Sequence, residues 1–250
     1  MADTKPTNPK DAIGVKKVPM SCLSSQTVAL VAKAIVAEGL GAELNPLSPL
    51  KVSRCFNPAV ANMMMFWEGI GDNDPIPKLA RAMAHIMVLR QAELENRLDD
   101  DRLRSTGIFV KELNEHAAEI IKKYPNCVEP FTQLESGTNG FKIAEDLTGN
   151  IPLNVLPWRV VMEMALGMME GGRKYGRHNY RAVGVRAVVY YDAGIRHLAD
   201  FIEGKEVDTD SGLSHLTKAL SSTQVLLDCL VFGNWIDDRP LRIPGCTQSN

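Results

Sequence analysis

Apolar residues recur at helical spacing in several separate windows of the chain. Val28, Val31, Ala32, Ile35 and Val36 form a stripe behind Ser24 and Ser25, either of which suits an N-cap, and Gly39 and Gly41 stop the run. The spacing predicts a first helix over 24–38. Pro46, Pro49, Pro58 and Pro75 punctuate the next stretch and leave room for a short helix over 59–67. Its Met63, Met64, Met65, Phe66 and Trp67 read as core filling. A long pattern over 77–104 puts Leu79, Met83, Ile86, Leu94 and Leu98 on a buried side. Gly107 breaks it, and a helix over 108–124 follows at short distance, which suggests an antiparallel hairpin. Proline and glycine then dominate 125–152. Three more helices are expected over 157–173, 183–203 and 212–232, the last capped by Ser211, with an extended tail behind them.

Strand signals are weak throughout. The fold class expected is all-α, a helical bundle with an inserted helical hairpin region. Its parts would be an arm and first core helix over 1–41, a helical insertion over 42–149, a core carrying the candidate chemistry over 150–240, and a tail over 241–250. There is a faint internal echo: Pro19, Leu23, Val28 and Ala32 fall on Pro152, Leu156, Val161 and Ala165. An old duplication and two ordinary helices with similar lead-in turns explain it equally well.

Charge and composition narrow the class. The formal net charge is −2, so the global basic footprint of a nucleic-acid binder is missing. No run approaches the roughly 18 apolar residues that span a bilayer. The first fourteen residues are polar, without the apolar centre of a signal peptide, and a cytoplasmic location is expected. Cysteines 22, 55, 127, 229 and 246 include no C-x-x-C pair, which favours reduced, buried thiols over a zinc site.

Candidate chemistry concentrates between 163 and 215. Glu163 and Glu170 lie two turns apart on one face of an apolar helix, where a carboxylate must be paired, protonated or bound to a cation. The run GGRKYGRHNYR over 171–181 alternates Lys174, Arg177 and Arg181 with Tyr175, Asn179 and Tyr180. Cations hold phosphate oxygens and tyrosine stacks on a base, so this run suits a nucleotide. Arg186 and Arg196 extend the basic set. Asp192 interrupts the apolar stripe of the following helix, with Arg196 one turn on and Glu203 three turns on. A structural Asp–Arg pair and a cation site both explain it. Glu203, Asp208 and His215 cluster around the link to the last helix, an oxygen-rich arrangement that suits Mg²⁺ or Mn²⁺. His197 and His215 are the candidates for proton transfer.

Several motifs carry a resemblance. NPKDAIGVKKVP, ALGMMEGGRKYGRHNYR, YYDAGIRHLADFIEGKEVDTDSGLSHL and the closing DDRP resemble a phage-borne family of dATP/dGTP diphosphohydrolases, MazZ-like proteins related to the MazG-like all-α pyrophosphatases. The resemblance covers 8–20 and about 150–240. It implies Mg²⁺ held by carboxylates of adjacent helices and water attack at the α-phosphorus. The products would be a purine deoxynucleoside monophosphate and pyrophosphate. A homo-oligomer is expected and, for a phage protein, residence in the host cytoplasm. The family's usual pattern, E-x-x-E on one helix and E-x-x-D on the next, is not followed here, because Glu163 and Glu170 stand seven apart and no E-x-x-D occurs between 180 and 203. Metal ligands expected are therefore Glu163, Glu170, Asp192, Glu203 and Asp208. An HD-type triphosphohydrolase is disfavoured because no His-Asp dipeptide occurs. A non-catalytic phage protein that binds nucleic acid or a host partner is the alternative from another class.

Overall fold

The structure, a computed structural model, describes residues 17–71, 76–102 and 151–240, together with a few helical positions between 115 and 123. Most of the hairpin helix expected over 108–124 lies outside the described residues. Long helices dominate: α1 Ser25–Ala37, α2 Val52–Trp67, α3 Lys78–Leu94, α4 Trp158–Tyr175, the short α5 Asn179–Val183, α6 Ala187–Ile202 and α7 His215–Phe232. Two-residue strands form two parallel pairs, β1 Leu50–Lys51 with β2 Leu98–Asp99, and β3 Val185–Arg186 with β4 Trp235–Ile236.

Local chemistry accounts for the boundaries. The Ser24 hydroxyl accepts from the Thr27 amide at 3.4 Å and caps α1. α2 starts seven residues earlier than the proline pattern suggested and contains Pro58. One proline removes a single helical hydrogen bond, and the buried face of Val52, Cys55, Ala59, Met63 and Phe66 outweighs that loss. α3 stops at Leu94 because Asn96 turns left-handed, φ 54°. Gly184, φ 75°, delays the helix expected over 183–203 to Ala187, and the short α5 forms between Gly176 and Gly184, in a stretch expected to be loop. Ser214, not Ser211, caps α7, through a 3.2 Å bond from the Leu216 amide. Ser211 is engaged by Asp208 instead.

α3 and α7 are the most deeply buried helices, and together they form the spine of the core. The described part of 42–149 packs into the same continuous core as 150–240. The element order also repeats. A 3₁₀ turn, a helix, a second 3₁₀ turn, a short strand, two helices and a second short strand occupy 20–99, and the same order, with α5 in place of the second 3₁₀ turn, occupies 153–236.

Candidate nucleotide site

α7 organises the candidate site with its first two turns. Thr217 Oγ donates to Glu163 at 3.1 Å, Lys218 pairs with Glu170, and Ser221 packs against Gly167. Both α4 carboxylates therefore face α7, as their two-turn spacing predicts. Gly167 is required by the approach itself. A Cβ there would lie 2.1 Å from Ser221 Oγ and 3.2 Å from its Cβ.

Beyond this crossing, α4 and its glycine-rich exit open a cavity of about 150 Å³ against α7. Glu170, Lys174, Arg177, Asn179, Tyr180 and Lys218 are in its wall. Lys174 Nζ sits 2.6 Å from Glu170 Oε1 and 2.7 Å from Asp210. Burial raises the Glu170 pKa, but the hydrogen bonds from Lys174 and Lys218 win and hold it below the usual carboxylate range. Arg177 donates to Ser21, and His178 contacts the Ser21 carbonyl at 3.1 Å, so the exit loop is tied to the 3₁₀ turn Met20–Cys22. Tyr175 is 70% exposed at the mouth. Among the described residues the buried Tyr180 hydroxyl has no hydrogen-bond partner, and burial pushes its pKa up, with Asp228 adding to the shift.

Residues 142–239 match the family described as dATP/dGTP diphosphohydrolase, N-terminal. The chain carries that family's region. The family name is that of an enzyme, a nucleoside triphosphate diphosphohydrolase, as the motifs implied. No curated protein and no solved structure matches the chain. The family region contains α4–α7, and with them the whole cavity wall except Cys22.

Within the family region the expected residues separate into groups. Glu170, Lys174, Tyr175, Arg177 and Asn179 come together around the cavity. Glu163 is adjacent, but its carboxylate is taken in a two-point pair by Arg90, at 2.7 and 3.1 Å. His197 and His215 meet each other, Nδ1 to Nδ1 at 3.0 Å, at the start of α7 and outside the cavity wall. Burial, then the neighbouring His215, pushes His197 down to about 4, and burial lowers His215 too. Both rings are thus neutral at pH 7, one donating and the other accepting.

The remaining expected residues lie elsewhere. Asp192 is exposed, as is Arg196, because the buried face of α6 is Ala187, Gly194, Leu198 and Phe201. The apolar stripe read from sequence had placed Asp192 inward. Arg181 turns away from the cavity to the fully buried Asp228, at 2.5 and 2.8 Å, and lies over the Phe232 ring. Arg186 holds Asp238 at 3.0 Å, and Asp238 also accepts from the Val188 amide. Asp208 accepts from the Ser211 hydroxyl and amide. Burial opposes those bonds, yet they keep its pKa low. Glu203 ends α6 as its C-cap residue. Among the described residues no group of three or more histidine, cysteine, aspartate or glutamate side chains is arranged to hold a metal ion. Of the five carboxylates expected to share one site, Glu163, Glu170 and Asp208 have separate partners, Asp192 is exposed and Glu203 ends α6.

Lys218, Thr217 and Ser221 were missed in the sequence. Their signal was available as helical spacing from His215, at positions three, two and six residues on. Arg90 was missed because Glu163, its partner on α4, is seventy-three residues on. Glu93 sits 2.5 Å from Arg90, and burial together with a hydrogen bond to Glu206 pushes it up to about 7.

Proposed function

We propose that the chain hydrolyses purine deoxynucleoside triphosphates, dGTP and dATP, to the monophosphate and pyrophosphate at the cavity between α4 and α7. The observation carrying this reading is the cluster of Lys174, Arg177 and Lys218 with Tyr175, Tyr180 and Asn179 inside the family region. Lys174 and Lys218 are held in place by Glu170 and Asp210. A triphosphate offers more charge than these carboxylates and draws the same ammonium groups toward it. Arg177, tied to Ser21, adds a planar donor at the mouth. Tyr175 supplies an exposed ring for the base.

Mg²⁺ is usually bound by one or two protein carboxylates plus substrate phosphates, not by an all-protein cage. Glu170, in the cavity wall, would supply such a carboxylate once the phosphates draw Lys174 and Lys218 off its two oxygens. Mg²⁺, or Mn²⁺ in its place, neutralises phosphate charge and lowers the pKa of an attacking water. The neutral His197–His215 pair, one turn below Lys218, offers a proton acceptor at this end of the cleft. In a phage-infected cell such an enzyme removes purine deoxynucleoside triphosphates and supplies dGMP.

Product analysis after incubation with dGTP or dATP and Mg²⁺ tests the reading. Pyrophosphate with the monophosphate is expected. Tripolyphosphate with the nucleoside, or no product from any deoxynucleoside triphosphate, overturns it.

A further inference from the structure

The two halves of the described structure exchange the same contact. Arg102, in the first half, donates to the carbonyl of Phe201 in the second at 2.7 Å and lies over the Phe201 ring at 4.6 Å. Arg239, in the second half, donates to the carbonyl of Phe66 in the first at 2.7 Å and lies over the Phe66 ring at 4.8 Å. Each arginine is held by the aspartate two residues before it, Asp100 or Asp237. The next aspartate in each half, Asp101 or Asp238, accepts from the amide at the start of that half's middle helix, Ser53 or Val188. Contacts that repeat reciprocally are the mark of two-fold related units. Here both units belong to one chain.

The correspondence pairs α1 with α4, α2 with α6 and α3 with α7, and it shows where the halves differ. Lys218 corresponds to Arg81, Ser222 to His85, Gly167 to Ala34 and Ser221 to Ala84. In the first half Arg81 and the buried His85 close on Glu38, His85 Nε2 at 3.5 Å. The cavity there, about 340 Å³, is lined by Gly41, Leu44, Gln91 and residues 154–157, none of them charged. It has no group for a phosphate. Charge breaks the symmetry once more. Arg90 corresponds to Leu227 and Glu163 to Leu30, both leucines buried. The fold is content with two leucines on one side. On the other side Arg90 crosses from the first half to fix Glu163, which in turn accepts from Thr217, the neighbour of Lys218.

We infer that the chain is a fused pair of one unit in which only the second copy keeps a nucleotide cleft, and that Arg90 of the first copy is a positioning residue that sets Glu163 and the α7 turn of Thr217 and Lys218 for the reaction. This rests on the nucleotide reading above. A partly buried ion pair is often replaceable by apolar residues without loss of stability. Its retention on the cleft side alone therefore points to the cleft.

The test is the double variant Arg90→Leu/Glu163→Leu made in a Glu93→Leu background, because Glu93 would otherwise lose its partner Arg90; together the changes copy onto the cleft side the leucines at 227, 30 and 230 of the other side. The expected result is a melting temperature equal to or above that of the unaltered protein, a KM for dGTP within about three-fold, and a kcat lowered about ten-fold or more. Arg90→Lys, which keeps the charge but loses the two-point fork, should lie between the two in kcat. Unchanged kcat in folded double variant overturns the positioning role. If the double variant does not fold, Arg90→Lys decides: full kcat overturns the role, reduced kcat at unchanged melting temperature supports it. Calorimetric titration of the unaltered protein with dGTP is read separately. One nucleotide per chain is expected, and two per chain would refute the single cleft. Stoichiometric binding without turnover would count against the diphosphohydrolase reading but not against the fused pair.

Discussion

Gly167→Ala is expected to destabilise the protein although alanine is the better helix former. The intrinsic gain of alanine over glycine inside a helix is about 1 kcal/mol. Against it, the new Cβ would sit 2.1 Å from Ser221 Oγ, so the hydroxyl must rotate and surrender its 2.9 Å bond to the Thr217 carbonyl. That costs about 1 kcal/mol. A Cβ–Cβ distance of 3.2 Å remains after the rotation and forces α4 and α7 apart. Overpacking of this kind costs about 1–3 kcal/mol. The net is a loss of about 1–3 kcal/mol, which for a chain of this size lowers the melting temperature by roughly 2–10 °C. The first half shows how the clash is relieved, because Ala34 and the fully buried Ala84 stand at the corresponding positions. Gly167→Ala/Ser221→Ala should therefore return to within about 0.5 kcal/mol of the unaltered protein or exceed it, a strongly non-additive cycle. Thermal or urea unfolding of the four proteins reads this directly. A single variant as stable as the parent, or a double variant no better than the single, would refute the crossing geometry and its match to the α1–α3 crossing.

Arg181→Met should cost about 3 kcal/mol or more, because it strands the fully buried Asp228 carboxylate. Asp228→Asn should cost less, since the partly exposed Arg181 can turn to water; urea unfolding showing the reverse order would contradict this pairing. The pH dependence of stability contains two opposed contributions. His197, lowered to about 4, contributes stability that is present above pH 6.5 and lost as the pH falls, while Glu93, raised to about 7, contributes stability present below pH 4.5 and lost as the pH rises. Between pH 4.5 and 6.5 the two slopes oppose, each at most about 1.4 kcal/mol per pH unit. Glu93→Gln should accordingly lose stability more steeply than the parent on acidification through that window, and parallel curves would disprove the assignment. Asp192→Asn should leave stability within about 0.5 kcal/mol, as its side chain is exposed; a melting temperature shifted by more than a few degrees would place it inside the packing.

The helices were legible because their buried faces follow the helical period and their ends carry recognisable caps. Ser24 is an example. Pro58 misled because the burial of Cys55, Met63 and Phe66 overrides one missing hydrogen bond. The nucleotide run over 174–179 was legible because it is local in sequence. Asp192 was not, since a stripe of valine and isoleucine can mark either face of a half-buried helix, and α6 turned the small residues Ala187 and Gly194 inward. Arg181 read as a phosphate ligand for want of any sequence signal that Asp228, forty-seven residues on, would claim it. The duplication was visible as an echo in the first helix only. Its stronger marks were FWEG against FIEG and the two Asp-Asp-Arg runs, each spelling out a reciprocal contact. Those marks gain meaning only when Arg102 and Arg239 are seen to reach across.

The most direct test of the second-half cleft as the site of nucleotide hydrolysis is a comparison of mirror-related variants. The rate of pyrophosphate release from dGTP with Mg²⁺ is measured for Lys218→Met and for Arg81→Met, each normalised to folded protein. Loss of Lys218, the lysine proposed to hold phosphate, should lower the rate about 100-fold or more, whereas loss of Arg81, closed on Glu38 in the other half, should leave it within about three-fold. Equal rates for the two variants, or a larger loss with Arg81→Met, would contradict the assignment.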